Sequence, residues 1–186
     1  IKKERFINLF FFPSRMDKGK LRQVIVEQQA VFLAMDELVD RTVPLDYVLK
    51  GKEIVVITGI RRCGKSSLLK LISKKIGSAI LYINFDDIQL TDFTVENFHD
   101  VQSIAHELHG NTHITYFLDE PQNVKSWERW VSTLYELGNK TFITGSNAEL
   151  LSSEIATHIT GRNKILHLHP FSFKEYLALK NVSPST

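Results

Sequence analysis

The 186-residue chain has one cysteine, Cys63, so it forms no internal disulfide and offers no thiol pair to a metal. That excludes a disulfide-stapled secreted scaffold and suits a reducing compartment, the cytoplasm. It lacks any apolar run near the roughly 20 residues that span a bilayer, which argues against a membrane-integral protein. It lacks a charge excess as well: 23 Lys and Arg against 21 Asp and Glu leave +2, so overall charge does not point to nucleic acid. Nine glycines and five prolines exclude a collagen-like chain. What remains is 43% hydrophobic and 24% charged, the composition of one medium globular domain with a buried core.

The charge is unevenly placed. Lys2, Lys3, Arg5, Arg15, Lys18, Lys20 and Arg22 face only Glu4 and Asp17 in the first 22 residues, around the aromatic segment Phe6–Phe12. Pro13-Ser14-Arg15 is a poor cleavage site, so a secretory signal is disfavoured. The stretch reads either as an arm for a partner or as an element packing its aromatics on the domain. From Leu21 to about Val39 the spacing predicts a helix, closed by Pro44 and the turn Leu49-Lys50-Gly51. Residues 1–49 therefore form a basic, helical lead-in to a domain over 50–182.

Glu53–Thr58 is a β-branched run that predicts a buried strand. It leads into Gly59-Ile60-Arg61-Arg62-Cys63-Gly64-Lys65-Ser66, and a helix opens at Ser67. This is G-x-x-x-x-G-K-[ST] in its proper strand-before, helix-after context. Two glycines let the backbone wrap so that its N–H groups face a phosphate, and the helix N-terminus faces the same anion. Lys65 supplies a point charge for the β/γ oxygens, and Ser66 offers a hydroxyl to Mg²⁺. The residues from Gly59 to Ser67 are thus expected to hold a nucleoside triphosphate.

Ala79–Phe85 reads as a second strand, and Val95, Phe98, Val101, Ile104, Ala105 and Leu108 mark one helix face. Ile114–Leu118 is a further apolar strand ending in Asp119-Glu120. After a phosphate loop, such a pair assigns Asp119 to Mg²⁺ and Glu120 to the attacking water. No N/T-K-x-D guanine reader follows, since Asn139-Lys140-Thr141-Phe142 lacks the Asp, so ATP is favoured over GTP. Thr141–Thr144 is a short strand followed by Gly145-Ser146-Asn147. Asn147, with Ser146 second, is the candidate γ-phosphate sensor; an N-cap for a helix at Glu149–Leu151 is the competing role for Asn147. Arg162 enters a strand over Lys164–Leu168 and reads as an arginine finger or as an ordinary surface-paired cation.

Other features have plainer readings. Trp127, Trp130, Val131, Leu134 and Tyr135 follow a helical stripe, the pattern of core packing. His167 and His169 alternate on a strand without a third ligand nearby, which disfavours zinc. Cys63 lies in the loop and reads as oxidation-sensitive.

Taken together, G-x-R-R-x-G-K-S at Gly59–Ser66, Y-x-N-F-D-D at Tyr82–Asp87 and L-D-E-x-Q-x-x-x-x-W-E at Leu118–Glu128 form an ordered set. T-G-S-N-x-x-L-L-S-S-E-x-A-T-x-x-T-G-R at Thr144–Arg162 and a proline with S-F-x-E-Y-L at Pro170–Leu177 complete it. The set resembles a family of predicted archaeal and bacterial AAA-type ATPases over roughly residues 50 to 180. The resemblance implies an α/β, three-layer P-loop NTPase fold with a mainly parallel sheet and an added strand between the Walker A and Walker B strands. It implies ATP and Mg²⁺ as ligands and strengthens the finger reading of Arg162. Members usually continue into a helical lid and a C-terminal domain, which are expected to be absent from a chain that stops at Thr186, just after Ser172…Glu175 opens a helix.

The expected activity is Mg²⁺-dependent ATP hydrolysis, with Lys65, Glu120, Asn147 and Arg162 catalytic and Ser66 and Asp119 holding the metal. A nucleotide-controlled binding switch with little hydrolysis is the alternative. A nucleic-acid-associated ATPase is a further one, because Asp119-Glu120-Pro121-Gln122 also resembles a D-E-x-Q helicase motif. A homo-oligomer and an unidentified protein or nucleic-acid partner complete the expectation, with no membrane association.

Overall fold

Five short segments become strands in the computed structural model, which describes residues 15–34, 38–77, 79–110, 112–146 and 159–180. They are Ile54–Thr58 (β1), Ile80–Asn84 (β2), Thr115–Asp119 (β3), Thr141–Gly145 (β4) and Asn163–His167 (β5). The sheet order is β2-β3-β4-β1-β5, and every pairing is parallel. β4 lies between the strand that feeds the phosphate loop and the strand that ends in Asp119, so the added strand is present. β1, β3 and β4 are buried along their whole length, as expected of parallel strands covered on both faces.

Alternation along the strands sorts the core into two layers. Ile54 and Val56 of β1 face a cluster with Val101 and Ile104 of α4 (Asn97–His109) and Trp127 and Val131 of α5 (Trp127–Glu136). Val55 and Ile57 face the other way, onto Leu68, Leu69 and Ile72 of α3 (Lys65–Ile76) and Val48 of α2 (Leu45–Leu49). Helices on both faces of a parallel sheet make three layers. The tryptophan stripe is core: Trp130 stacks on Phe98 at 4.4 Å between ring centroids.

The lead-in helix, α1 (Lys18–Leu33), starts earlier than its apolar spacing predicts because the Asp17 side chain accepts from the Lys20 N–H at 3.0 Å and caps it. Leu21, Val24 and Ile25 are buried with α4, while Phe32 reaches the opposite layer and stacks on Tyr82 at 4.0 Å. α1 thus wraps the β2 edge of the sheet. The Gln28 side chain exchanges two hydrogen bonds with the Asn84 backbone (2.9 and 3.2 Å), and Gln29 Oε1 accepts from the Tyr82 N–H at 3.3 Å. Pro44, which the sequence presents as a stop, instead precedes α2 and sits at its N-cap. The last helix, α6 (Phe173–Leu179), opens on the anticipated capping box, with Ser172 and Glu175 bonded reciprocally.

Candidate nucleotide site

The carboxyl ends of β1, β3 and β4 converge where the chain leaves each strand, the usual position of a ligand in an open parallel sheet. β1 ends at Thr58 and the loop from Gly59 leads into α3, whose first residue is Lys65. Both loop glycines are required. A side-chain carbon at Gly59 would lie 2.3 Å from the Leu168 carbonyl oxygen and 2.8 Å from Cys63 Sγ. Gly64 adopts φ 95°, a conformation costly for any residue with a Cβ.

Parallel register places Asp119 at the end of β3 beside Asn84 of β2 and Thr144 of β4. Ser66 Oγ donates to Asp119 Oδ2 at 2.6 Å, Tyr82 OH donates to the same oxygen at 3.1 Å, and Thr144 Oγ1 donates to Asp119 Oδ1. Burial, followed by the Asp119 charge, pushes the Tyr82 phenol well above its ordinary value, so it stays a donor. Ser66 and Asp119 are therefore brought together, and they present hydroxyl and carboxylate oxygens of the kind that hold Mg²⁺.

Glu120 turns the chain into the left-handed region (φ 54°) and aims its carboxylate back into the cleft. Its Oε2 accepts from the Ser146 N–H (3.0 Å), from Ser146 Oγ (3.1 Å) and from Gln122 Nε2. Lys65 Nζ lies 3.9 Å from Glu120 Oε1 and donates to the Gly59 and Ile60 carbonyl oxygens at 3.1 and 3.3 Å. Lys65, Ser66, Ser67, Asp119 and Glu120 line one cleft of about 370 Å³, together with Arg61, Arg62, Gly64, Asn84 and Asp86. Ser146 touches Glu120 directly; Asn147, the first choice as sensor, lies outside the described residues.

Position bears on two further sequence expectations, a finger role for Arg162 on its own chain's or a neighbour's nucleotide and an oxidation-sensitive Cys63. Arg162 sits at the entry of β5, where its carbonyl accepts from Ile54 N–H at the start of β1. The phosphate loop leaves the other end of β1, four strand steps or about 13 Å away. Arg162 Nη1 donates to Ser132 Oγ and Glu136 Oε1, both at 3.0 Å, so it does not reach a nucleotide held by its own chain. Cys63 is 5% exposed and packed in the core under the loop, which withholds the access that thiol oxidation requires. His167 Nδ1 is 2.7 Å from Thr58 Oγ1, a pairing at the end of β1 that its spacing to His169 did not suggest.

Sequence reasoning missed Arg41. Its buried guanidinium donates to the Cys63 carbonyl (2.9 Å), the His169 carbonyl (2.7 Å) and Glu175 Oε1 (3.2 Å), and its Nη1 packs against Gly64. Arg41 therefore buttresses the loop from behind. Burial raises the Glu175 carboxyl, but the Thr42 and Ser172 N–H groups, the Ser172 hydroxyl and Arg41 outweigh it and hold the group down at about 2. A lone arginine between Asp40 and Thr42 carries no local motif that would have marked it.

A strand-loop-helix phosphate cradle facing an Asp-Glu strand end across an intervening strand defines the P-loop NTPase class. The AAA domain family matches residues 51–177, and the chain belongs to it. It is similar to a Methanocaldococcus jannaschii protein described only as uncharacterized, 32% identical over 94% of this chain and 39% of that protein. A Haemophilus influenzae protein, likewise uncharacterized, is 39% identical over 69% of this chain and 34% of its own length. The chain thus spans little more than a third of the curated relatives it matches. A Streptococcus pyogenes serotype M3 crystal structure, described as a candidate primosome component, aligns with TM-score 0.45 at 17% identity over 67% of this chain and 74% of its own. By its family the chain is a nucleotide-binding, AAA-type ATPase-like module. No helix among its described residues is long and apolar enough to cross a membrane.

Proposed function

We propose that the module binds ATP with Mg²⁺ and hydrolyses the β–γ phosphoanhydride. The observation that carries this reading is the 2.6 Å contact between Ser66 Oγ and Asp119 Oδ2 at the mouth of the phosphate loop. It unites the hydroxyl and the carboxylate that a P-loop NTPase uses for its metal. When bound there, Mg²⁺ neutralises charge on the β and γ oxygens. Lys65 exchanges its two carbonyl partners for phosphate oxygens, and the loop N–H groups hold the β-phosphate. Glu120 orients and polarises a water whose oxygen attacks the γ-phosphorus. The bond to the bridging oxygen breaks with its electron pair on ADP, leaving inorganic phosphate. Asn147, or Ser146, which touches Glu120, reports the γ-phosphate to the site. Arg162 acts on a nucleotide held by a neighbouring copy.

The test is Mg·ATP turnover over a range of protein concentrations, with Lys65→Ala as the blank. Turnover above the blank supports hydrolysis, and a more than linear rise with concentration supports assembly with Arg162 acting across the interface. No turnover in a chain that binds ATP refutes the hydrolase reading. One observation favours that second outcome, a nucleotide-controlled switch: Glu120 Oε2 already accepts three hydrogen bonds, which leaves Oε1, 3.9 Å from Lys65 Nζ, to meet a water.

A further inference from the structure

Left-handed backbone is disfavoured for residues with a Cβ, and where it persists the reason is often functional. Among the described residues three non-glycines adopt it: Arg62 (φ 66°), Glu120 (φ 54°) and Ser126 (φ 61°). Glu120 gains by it, since the turn delivers its carboxylate to Ser146. Ser126 stands immediately before α5. Arg62 lies inside the phosphate loop, where a left-handed residue belongs to the turn that points successive N–H groups at an anion. Its side chain is exposed and makes no hydrogen bond or ion pair to any described residue, and the same is true of Arg61.

Both arginines nevertheless line the nucleotide cleft, which also contains the carboxylates of Asp86, Asp119 and Glu120. Cations beside three carboxylates ordinarily pair with them. Here Asp119 is engaged by Ser66, Tyr82 and Thr144, Glu120 Oε2 by Ser146 and Gln122, and Asp86 Oδ1 by Asn123 at 3.5 Å, and neither arginine pairs with any of the three. The other arginine considered for contact with the γ-phosphate, Arg162, is committed to Glu136 at the far end of the sheet.

We propose that the Arg61 and Arg62 side chains are the chain's own ligands for the terminal phosphate. They would supply in the same chain the charge that an arginine from a neighbouring subunit would otherwise bring. Guanidinium groups suit this task because they stay charged and grip phosphate oxygens in a fork. The loop's anion-binding turn sets the backbone at Arg62, and the residue that occupies it carries an exposed guanidinium on the lining of the cleft. This inference rests on the nucleotide reading above and adds a specificity: the chain should distinguish ATP from ADP through these two residues.

The experiment is calorimetric titration of the 186-residue chain with Mg²⁺ and either ADP or the non-hydrolysable imido analogue of ATP. It compares the parent, Lys65→Ala, and the double variant Arg61→Ala/Arg62→Gly, with a thermal melt of each. The double variant is expected to lose about tenfold or more in affinity for the ATP analogue, as for loss of a charge-assisted phosphate contact. Its ADP affinity should stay within about threefold, and its melting temperature should not fall, because glycine relaxes the loop. Arg61→Lys/Arg62→Lys should restore part of the preference. A double variant that keeps the parent's preference for the ATP analogue, or weakens both nucleotides equally, overturns the proposal while leaving the nucleotide reading intact. A parent that binds neither nucleotide better than Lys65→Ala overturns both.

Discussion

The two ends of the sheet carry similar charges in opposite states. At the amino end, Lys140 donates to the Gly51 and Glu53 carbonyls, and Lys164 donates to those of Tyr47 and Lys50 while pairing with Glu53. Arg162 is held by Ser132 and Glu136. Every one of these cations has protein partners. At the carboxyl end, Arg61 and Arg62 have none among the described residues, and the Asp119 hydroxyl contacts are of a kind that a metal can replace. Charge alone therefore does not mark a site in this fold. Charge left incomplete by the surrounding protein does.

The sharpest way to test that contrast is Glu120→Gln, which preserves shape and removes the carboxylate. It should lower turnover about 10²- to 10⁴-fold, the usual worth of a positioned base. ATP-analogue affinity should stay near the parent's by calorimetry. If turnover survives, Glu120 does not serve the water.

Next in size is Arg41→Ala, which leaves Glu175 buried and unpaired behind the loop. Breaking a buried pair from one side costs about 3–5 kcal/mol, to be read from urea unfolding. Nucleotide affinity should fall with it, because the Cys63 carbonyl loses its support. The parent carries a matching acid signature. Glu175 is lowered from 4.5 to about 2, so its contribution is complete above about pH 4.5 and is lost as pH falls toward 2. Arg41→Ala should reduce that loss.

A smaller effect is expected from Arg162→Ala at the amino end. Its partly exposed pair with Glu136 is worth at most about 1 kcal/mol. Turnover at dilute protein should be unchanged; a drop confined to high concentration would place Arg162 at a neighbour's nucleotide. The smallest is a pH effect at Lys140, lowered to about 8 chiefly by burial and then by the Lys164 charge. A base depressed on folding binds fewer protons than in the unfolded chain, so stability should rise as pH climbs from about 8 toward 10.5. Lys140→Met should flatten that rise in urea midpoints taken at both ends of the window.

Much of this fold was legible in the sequence because parallel strands buried on both faces read as continuous apolar runs, and all five strands lie within a residue or so of their expected positions. The phosphate loop and Asp119-Glu120 were legible because their chemistry needs particular residues at contiguous positions. Arg41 was not, since its partners Cys63, His169 and Glu175 are distant in sequence and only the folded sheet assembles them. Which end of the sheet Arg162 occupies was hidden for the same reason. Its place beside a glycine before a strand resembles a functional turn, but parallel register puts a strand's entry at the opposite end from the site.

The glutamines of α1 have a consequence for the company the sheet keeps. An outermost strand with free backbone groups is a template for any passing strand, and that is how sheets recruit neighbours and fibrils begin. Gln28 imitates such a neighbour with its own amide, giving to and taking from Asn84, and Gln29 occupies the next outward N–H along β2. Three outward groups at the carboxyl end of β2 are thereby occupied. A strand seeking to add there meets α1 instead, at the end that carries Asn84 into the nucleotide cleft.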